Sequence, residues 1–253
     1  MSKRALNRVI LIVGEGRETE YNYFVGFRNA HEEILQQTAT RVEVKRGPGG
    51  DARRIVKNAI QKAKDFNPNV KRGDRVFLLL DAEGPGNSPG QGRTPELPAA
   101  EKLAKENGIE IIYSCPPFEY WFLCHFAKAS RGQFADCDAV IGALNKKWGA
   151  VSNAEYDKAD RDVFTRLADL LDVARAQALQ IDLHHLNSLD TARGVNPSTQ
   201  VYELVGILIG AKSGEKCSLP GTWKLLGDAE VTIDATKGDA MPLHKGNTAH
   251  WHL

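Results

Sequence analysis

Glu15 sits between two glycines, Gly14-Glu15-Gly16, directly after the aliphatic run Val9-Ile10-Leu11-Ile12-Val13. A second acidic signal, Asp81-Ala82-Glu83, follows another apolar run, Val76-Phe77-Leu78-Leu79-Leu80. In extended chain Asp81 and Glu83 face the same way, about 7 Å apart. If the two runs are neighbouring strands, Glu15 meets that pair across the carboxyl edge of a sheet, where open α/β folds bind their ligands. Three converging acids repel one another unless a cation lies among them, and an all-oxygen set favours Mg²⁺ or Mn²⁺. Such an ion can hold a scissile phosphate while one acid serves in proton transfer. The plainer reading, that acids after strands cap helices or face solvent, fits Asp81 alone better than it fits the whole set.

The glycines also invite a dinucleotide reading. Gly14-x-Gly16 begins the pattern G-x-G-x-x-G, but Thr19 stands where its third glycine belongs. Glu15 would also set a negative charge beside a pyrophosphate that backbone N–H groups are meant to attract. Lys45-Arg46 would then be a site for a 2′-phosphate. Two glycines alone carry this reading weakly.

The elements that must position these acids alternate. Val9–Val13 is apolar throughout, as in a strand buried on both faces. A helix is expected from Thr19 to about Gln36, with Tyr23, Phe24 and Phe27 as its core stripe. Arg41–Lys45 reads as a second strand. Gly47-Pro48-Gly49-Gly50 is a plain connection, and Asp51 caps a helix to about Phe66. The third strand is Arg75–Leu80, followed by a Gly/Pro-rich loop over 84–98. A helix from about Ala99 to Asn107 leads to the fourth strand, Ile109–Tyr113. Four strand–helix repeats imply an α/β fold with a parallel four-stranded sheet flanked by helices. The aromatic stretch Phe118–Phe126 is expected to be helical and packed on the sheet. Beyond about 131 no further sheet strand is expected. Helices are placed over Asp138–Trp148, Asp160–Leu186 and Ser198–Lys212. The chain thus divides into a catalytic domain over 1–130, a helical region over 131–212 and an irregular tail over 213–253, either a poorly ordered extension or a small added element. The tail histidines His244, His250 and His252 fit no standard metal spacing.

Composition narrows the class. The 253 residues are 42% hydrophobic and 26% charged, ordinary for a globular protein. No apolar run could span a bilayer, and the N-terminal run is too short for a signal peptide. Four cysteines without a C-x-x-C pair suggest reduced thiols and a cytoplasmic location, not a zinc site. The net charge is +1, yet residues 1–75 hold 16 Lys/Arg against 9 Asp/Glu. Lys45, Arg46, Arg53, Arg54 and Lys57 lie in this basic region and are candidates for gripping a nucleic-acid backbone, with a solvated helix face as the plainer alternative.

An E-G turn after a first apolar strand, with an acidic pair after a later one, resembles the Toprim domain of topoisomerases, DnaG-type primases, recombination mediators and OLD-type nucleases. The segments VGEGRETEYNYF, VFLLLDAEG, SCPPFEYWFLCHF and NPSTQVYELV are together similar to the RloB/AbiLii family. The matching segments fall between about residues 8 and 205. The resemblance implies a Toprim-like fold and a bacterial restriction or abortive-infection setting, often beside a P-loop ATPase. It makes Glu15 a general acid/base or metal ligand and Asp81 a metal ligand. Glu83 stands where Asp is more usual. Glu119 would add a further acid to the site. Glu20 matches the family's T-E at the helix start, where stabilising the helix dipole already explains it. Trp121 is expected in the core, His125 as a satisfied buried histidine, and Asn196-Pro197-Ser198-Thr199 as a helix start. The expected activity is metal-dependent cleavage of RNA, including tRNA, or of DNA. The rival is a regulatory module that binds nucleic acid or the ATPase without cutting.

Overall fold

The structure, a computed structural model, describes residues 8–82, 96–126, 132–187 and 195–253. Its centre is a five-stranded sheet built from β1 (Arg8–Val13), β2 (Thr40–Lys45), β3 (Arg75–Asp81), β4 (Ile109–Cys115) and β5 (Ser198–Thr199). The spatial order is β2-β1-β3-β4-β5, with β1–β4 mutually parallel and β5 antiparallel to β4. The expected four-stranded sheet is therefore corrected to five. The extra strand has two residues, too few to carry a period. It also delays the following helix, α9, to Val201–Ile209.

The continuous apolar strands are explained by two cores. Ile10 and Ile12 of β1 with Phe77 and Leu79 of β3 point to one face, while Leu11, Val13, Val76, Leu78 and Leu80 point to the other. Side chains alternate along a strand, so a strand covered on both sides must be apolar at every position. Helices α3 (Ala52–Phe66) and α4 (Leu97–Glu106) cover the second face through Ile55, Val56, Ala59, Leu97, Ala100 and Ala104. The first face is covered by α1 (Thr19–Ala30), α5 (Glu119–Cys124), α6 (Cys137–Trp148), α7 (Val163–Leu167), α8 (Leu171–Asn187) and α9. Tyr23, Phe24, Phe27, Phe118, Trp121, Phe122 and Phe164 are buried together there, as expected of the aromatics of α1 and α5. Edge-to-face ring pairs such as Tyr23–Phe164, with centroids 5.2 Å apart, add to their area burial.

Two expected helices are broken. The first stops at His31, whose Nδ1–H donates to the Phe27 carbonyl at 2.9 Å while its ring stacks on Phe27; α2 (Glu32–Gln37) then starts afresh. The helix expected over 160–186 splits into α7, a 3₁₀ turn at Ala168–Leu170, and α8.

The tail, read as irregular and either poorly ordered or a small added element, forms such an element, built of strands. β6 (Ala211–Lys212), β7 (Gly221–Leu225), β8 (Asp228–Ala235) and β9 (His250–His252) make an antiparallel sheet in the order β6-β9-β7-β8. Trp223 and Trp251 are fully buried in its small core with Cys217 and Met241. Polar contacts fasten it to the main body. Lys237 bridges Asp182 of α8 and Glu203 of α9, Arg175 of α8 pairs with Glu215 at 2.9 Å, and the His250 ring donates from Nε2 to the Ile209 carbonyl at 2.6 Å. Among the described residues no helix is long and apolar enough to cross a membrane.

If the small sheet is an integral part of the fold, Trp251→Ala will cost about 3–5 kcal/mol in urea unfolding, with a single transition. A loss near zero, or a separate early transition for the tail, would show that it stands apart.

Candidate active site at the carboxyl edge of the sheet

β1 and β3 are paired in parallel, with Val13 opposite Leu78, so the turn after β1 reaches the end of β3. The Asp81 backbone N–H donates to Glu15 Oε2 at 2.9 Å. That bond fixes the Glu15 carboxylate beside Asp81, the last residue of β3. The turn itself is clamped from β2. Gly14 N–H donates to the Lys45 carbonyl at 2.9 Å, Gly47 N–H to the Gly16 carbonyl at 2.7 Å and Gly49 N–H to the Glu15 carbonyl at 2.9 Å. A Cβ on Gly47 would overlap the carbonyl oxygens of Gly14 and Glu15. The loop expected as a plain connection is thus the brace of the acidic turn.

Two more acids arrive from helix starts. Glu20, in the first turn of α1, is buried and accepts from Gly16 N–H at 3.4 Å. Glu119 is the first residue of α5 and is also buried. It accepts from Thr19 Oγ1 at 3.5 Å and the Tyr156 hydroxyl at 3.3 Å, and Lys158 Nζ lies 3.2 Å from the same oxygen. Both acids gain from the positive ends of their helices. Burial, with the Glu15 and Glu119 carboxylates alongside, nevertheless pushes Glu20 up to about 7. Glu20 thus stands at the helix start expected of it and also lies among these acids. For Lys158, burial opposes the charged form, but Glu119 and Cys137 outweigh it and hold its pKa above the ordinary value. Burial, with the Glu119 and Asp81 carboxylates nearby, also raises the Cys137 thiol to about 11.

Glu15, Asp81 and Glu119 lie where the sequence reading puts acids, around one edge of the sheet. Glu83 lies outside the described residues. Glu15 and Asp81 are the pair that could hold a hard cation, and among the described residues no three His, Cys, Asp or Glu side chains group closely enough to form a complete metal site. Of the basic residues, Arg53, Arg54 and Lys57 are exposed on α3. Lys45 lies 3.6 Å from Glu43. Arg46 donates to the Arg17 carbonyl at 2.7 Å, lies 3.7 Å from Glu18 and stacks over Tyr21. Trp121 is fully buried. His125 Nδ1–H donates to the Trp121 carbonyl at 2.9 Å, leaving Nε2 to accept from the Tyr23 hydroxyl at 3.3 Å. Burial pushes its pKa down to about 4, so it is the satisfied neutral histidine expected. Tyr156 and Lys158 were not singled out from the sequence, since they sit in a polar, turn-rich stretch without period.

Residues 10–208 match the family described as RloB-like protein, and the chain belongs to it. No curated protein and no solved structure gives a match.

The crowding has a pH signature. Glu20 holds its proton to a higher pH in the folded chain than in the unfolded one. Stability is therefore lost as pH rises from about 4.5 through 7. Glu20→Gln removes that loss. The variant should match the native chain near pH 5 and exceed it by about 2–3 kcal/mol near pH 8 in urea unfolding. Equal stability at both values would mean that Glu20 carries no such strain.

Proposed function

We propose that this protein is a divalent-metal-dependent nuclease of the Toprim class, a cytoplasmic effector of bacterial anti-phage defence. The observation that carries the reading is the direct bond between Glu15 and the Asp81 backbone, which unites the two acidic signals at the carboxyl edge. The donor chemistry fits Mg²⁺ or Mn²⁺. The available ligands are carboxylate oxygens, the donors that hard divalent cations prefer. Glu15, Asp81 and Glu83 would hold the ion, which supplies charge neutralisation at a scissile phosphate when bound.

The chain's own residues do the rest. Glu15, fixed by the Asp81 N–H, is placed to take or return a proton at the reacting oxygen. Glu119 supports the site with Thr19, Tyr156 and Lys158 around its carboxylate. The exposed cations of α3, Arg53, Arg54 and Lys57, grip the backbone of RNA, tRNA or DNA without reading sequence. In this reading a P-loop ATPase partner gates the activity.

The test is electrophoretic. Total tRNA, single-stranded RNA, linear duplex and plasmid are incubated with the chain and Mg²⁺ or Mn²⁺, alone and with the neighbouring ATPase and ATP. Metal-dependent cutting that drops about 100-fold or more in Glu15→Gln and in Asp81→Asn is expected. Cutting that survives both substitutions, or none under any condition, would instead favour a regulatory module that binds nucleic acid or the ATPase.

A further inference from the structure

We infer that Lys158 is a phosphate-contacting residue of this site, delivered to the acids by a strap that joins α6 to α7. The inference rests on the nuclease reading and adds a residue to it. The strap runs over residues 149–162 and has no helix or strand of its own. Its course is nevertheless fixed on both sides of Lys158. On one side Tyr156 N–H donates to Asn145 Oδ1 at 2.9 Å, and the Tyr156 ring packs edge-on against Trp148 and Phe122. On the other side the Ala159 carbonyl accepts from Asn22 Nδ2 at 3.3 Å, and Asn22 is itself buried. An ordinary surface lysine needs no such anchoring.

The two side chains differ in burial. The Glu119 side chain is 4% exposed and that of Lys158 is 53% exposed. The half-exposed lysine thus rests on the buried acid while part of its side chain stays open to solvent. Lys158 is ion-paired to the buried Glu119. Its partners are Glu119 and, at 3.7 Å, the Cys137 sulfur, for three N–H donors in all. A phosphodiester brought to a group of carboxylates needs positive charge on its non-bridging oxygens, and a lysine supplies a compact point charge for that purpose. Glu119 then serves as a positioning residue that orients the ammonium. The cations of α3 meet flanking phosphates, whereas Lys158 meets the one at the acids.

The test reads phosphate contacts without requiring turnover. Binding of about 30-nucleotide fluorescein-labelled single-stranded RNA and of a duplex DNA is followed by anisotropy, with Ca²⁺ in place of Mg²⁺, from about 50 to 200 mM KCl. Lys158→Met should weaken binding several-fold and lower the slope of log K against log salt by about one. Lys158→Arg should restore most of the slope. Lys158→Gln, which keeps a donor toward Glu119, should behave like Met and guards against a folding defect. A purely structural partner of Glu119 would leave the slope unchanged. Native affinity and slope in both Met and Gln variants would overturn the inference while leaving the nuclease reading in place. A native chain that binds neither probe, alone or with the neighbouring ATPase and ATP, would overturn the nuclease reading, and this inference with it.

Discussion

The carboxyl edge depends on how closely the backbone of Gly47 approaches the turn after β1. Any side chain there would meet the carbonyls of Gly14 and Glu15. With glycine in place, the Gly47 and Gly49 amides close on the turn's carbonyls and the turn cannot swing away from β3. Only then does the Glu15 carboxylate reach the Asp81 amide. A buried sheet, an acidic turn and a glycine loop on the neighbouring strand are thus one mechanical unit. Its product is a carboxylate fixed next to another acid rather than left to solvent.

Around that unit the chain concentrates like charge. Glu20 and Glu119 come from helix starts, where the dipole favours anions, yet the dipole is too small to cancel mutual repulsion among buried acids. Burial raises the pKa of Glu20, and the neighbouring Glu15 and Glu119 charges add to that. Lys158 offsets part of this like charge, at Glu119. Strongly perturbed groups in a recess are functional candidates because stability alone would select against them. By contrast the cavity of about 450 Å³ between α2, α8 and the small sheet contains Arg175, but that guanidinium is already committed to Glu215 and the Gly210 carbonyl.

The order of the main sheet's elements along the chain was legible because β1 and β3 are apolar on both faces, β2 alternates, and helices carry recognisable caps such as Asp51. Asp81 and Glu15 were legible for the same reason, since an acid that ends a fully buried strand is conspicuous. What escaped had weak local signals. β5 and β6 have two residues each, and no period exists over two residues. β8 did carry alternation, with Val231, Ile233 and Ala235 turned inward and Glu230 and Asp234 outward, but the turns around it concealed the pattern. Glu20 looked sufficient as a helix-start acid, and only the packing of α1 against α5 reveals its neighbours. Lys158 lies in a strap whose position is set by Asn22 and Asn145, two side chains that no spacing rule connects to it.

The central claim is that the carboxyl-edge acids form a divalent-cation site. Calorimetric titration of Mn²⁺ into the native chain and into Glu15→Gln and Asp81→Asn, near pH 8, tests it most directly. The account predicts saturable binding by the native chain, weakened at least about tenfold in each variant, equivalent to about 1.4 kcal/mol. No binding by the native chain, or undiminished binding by both variants, would contradict it.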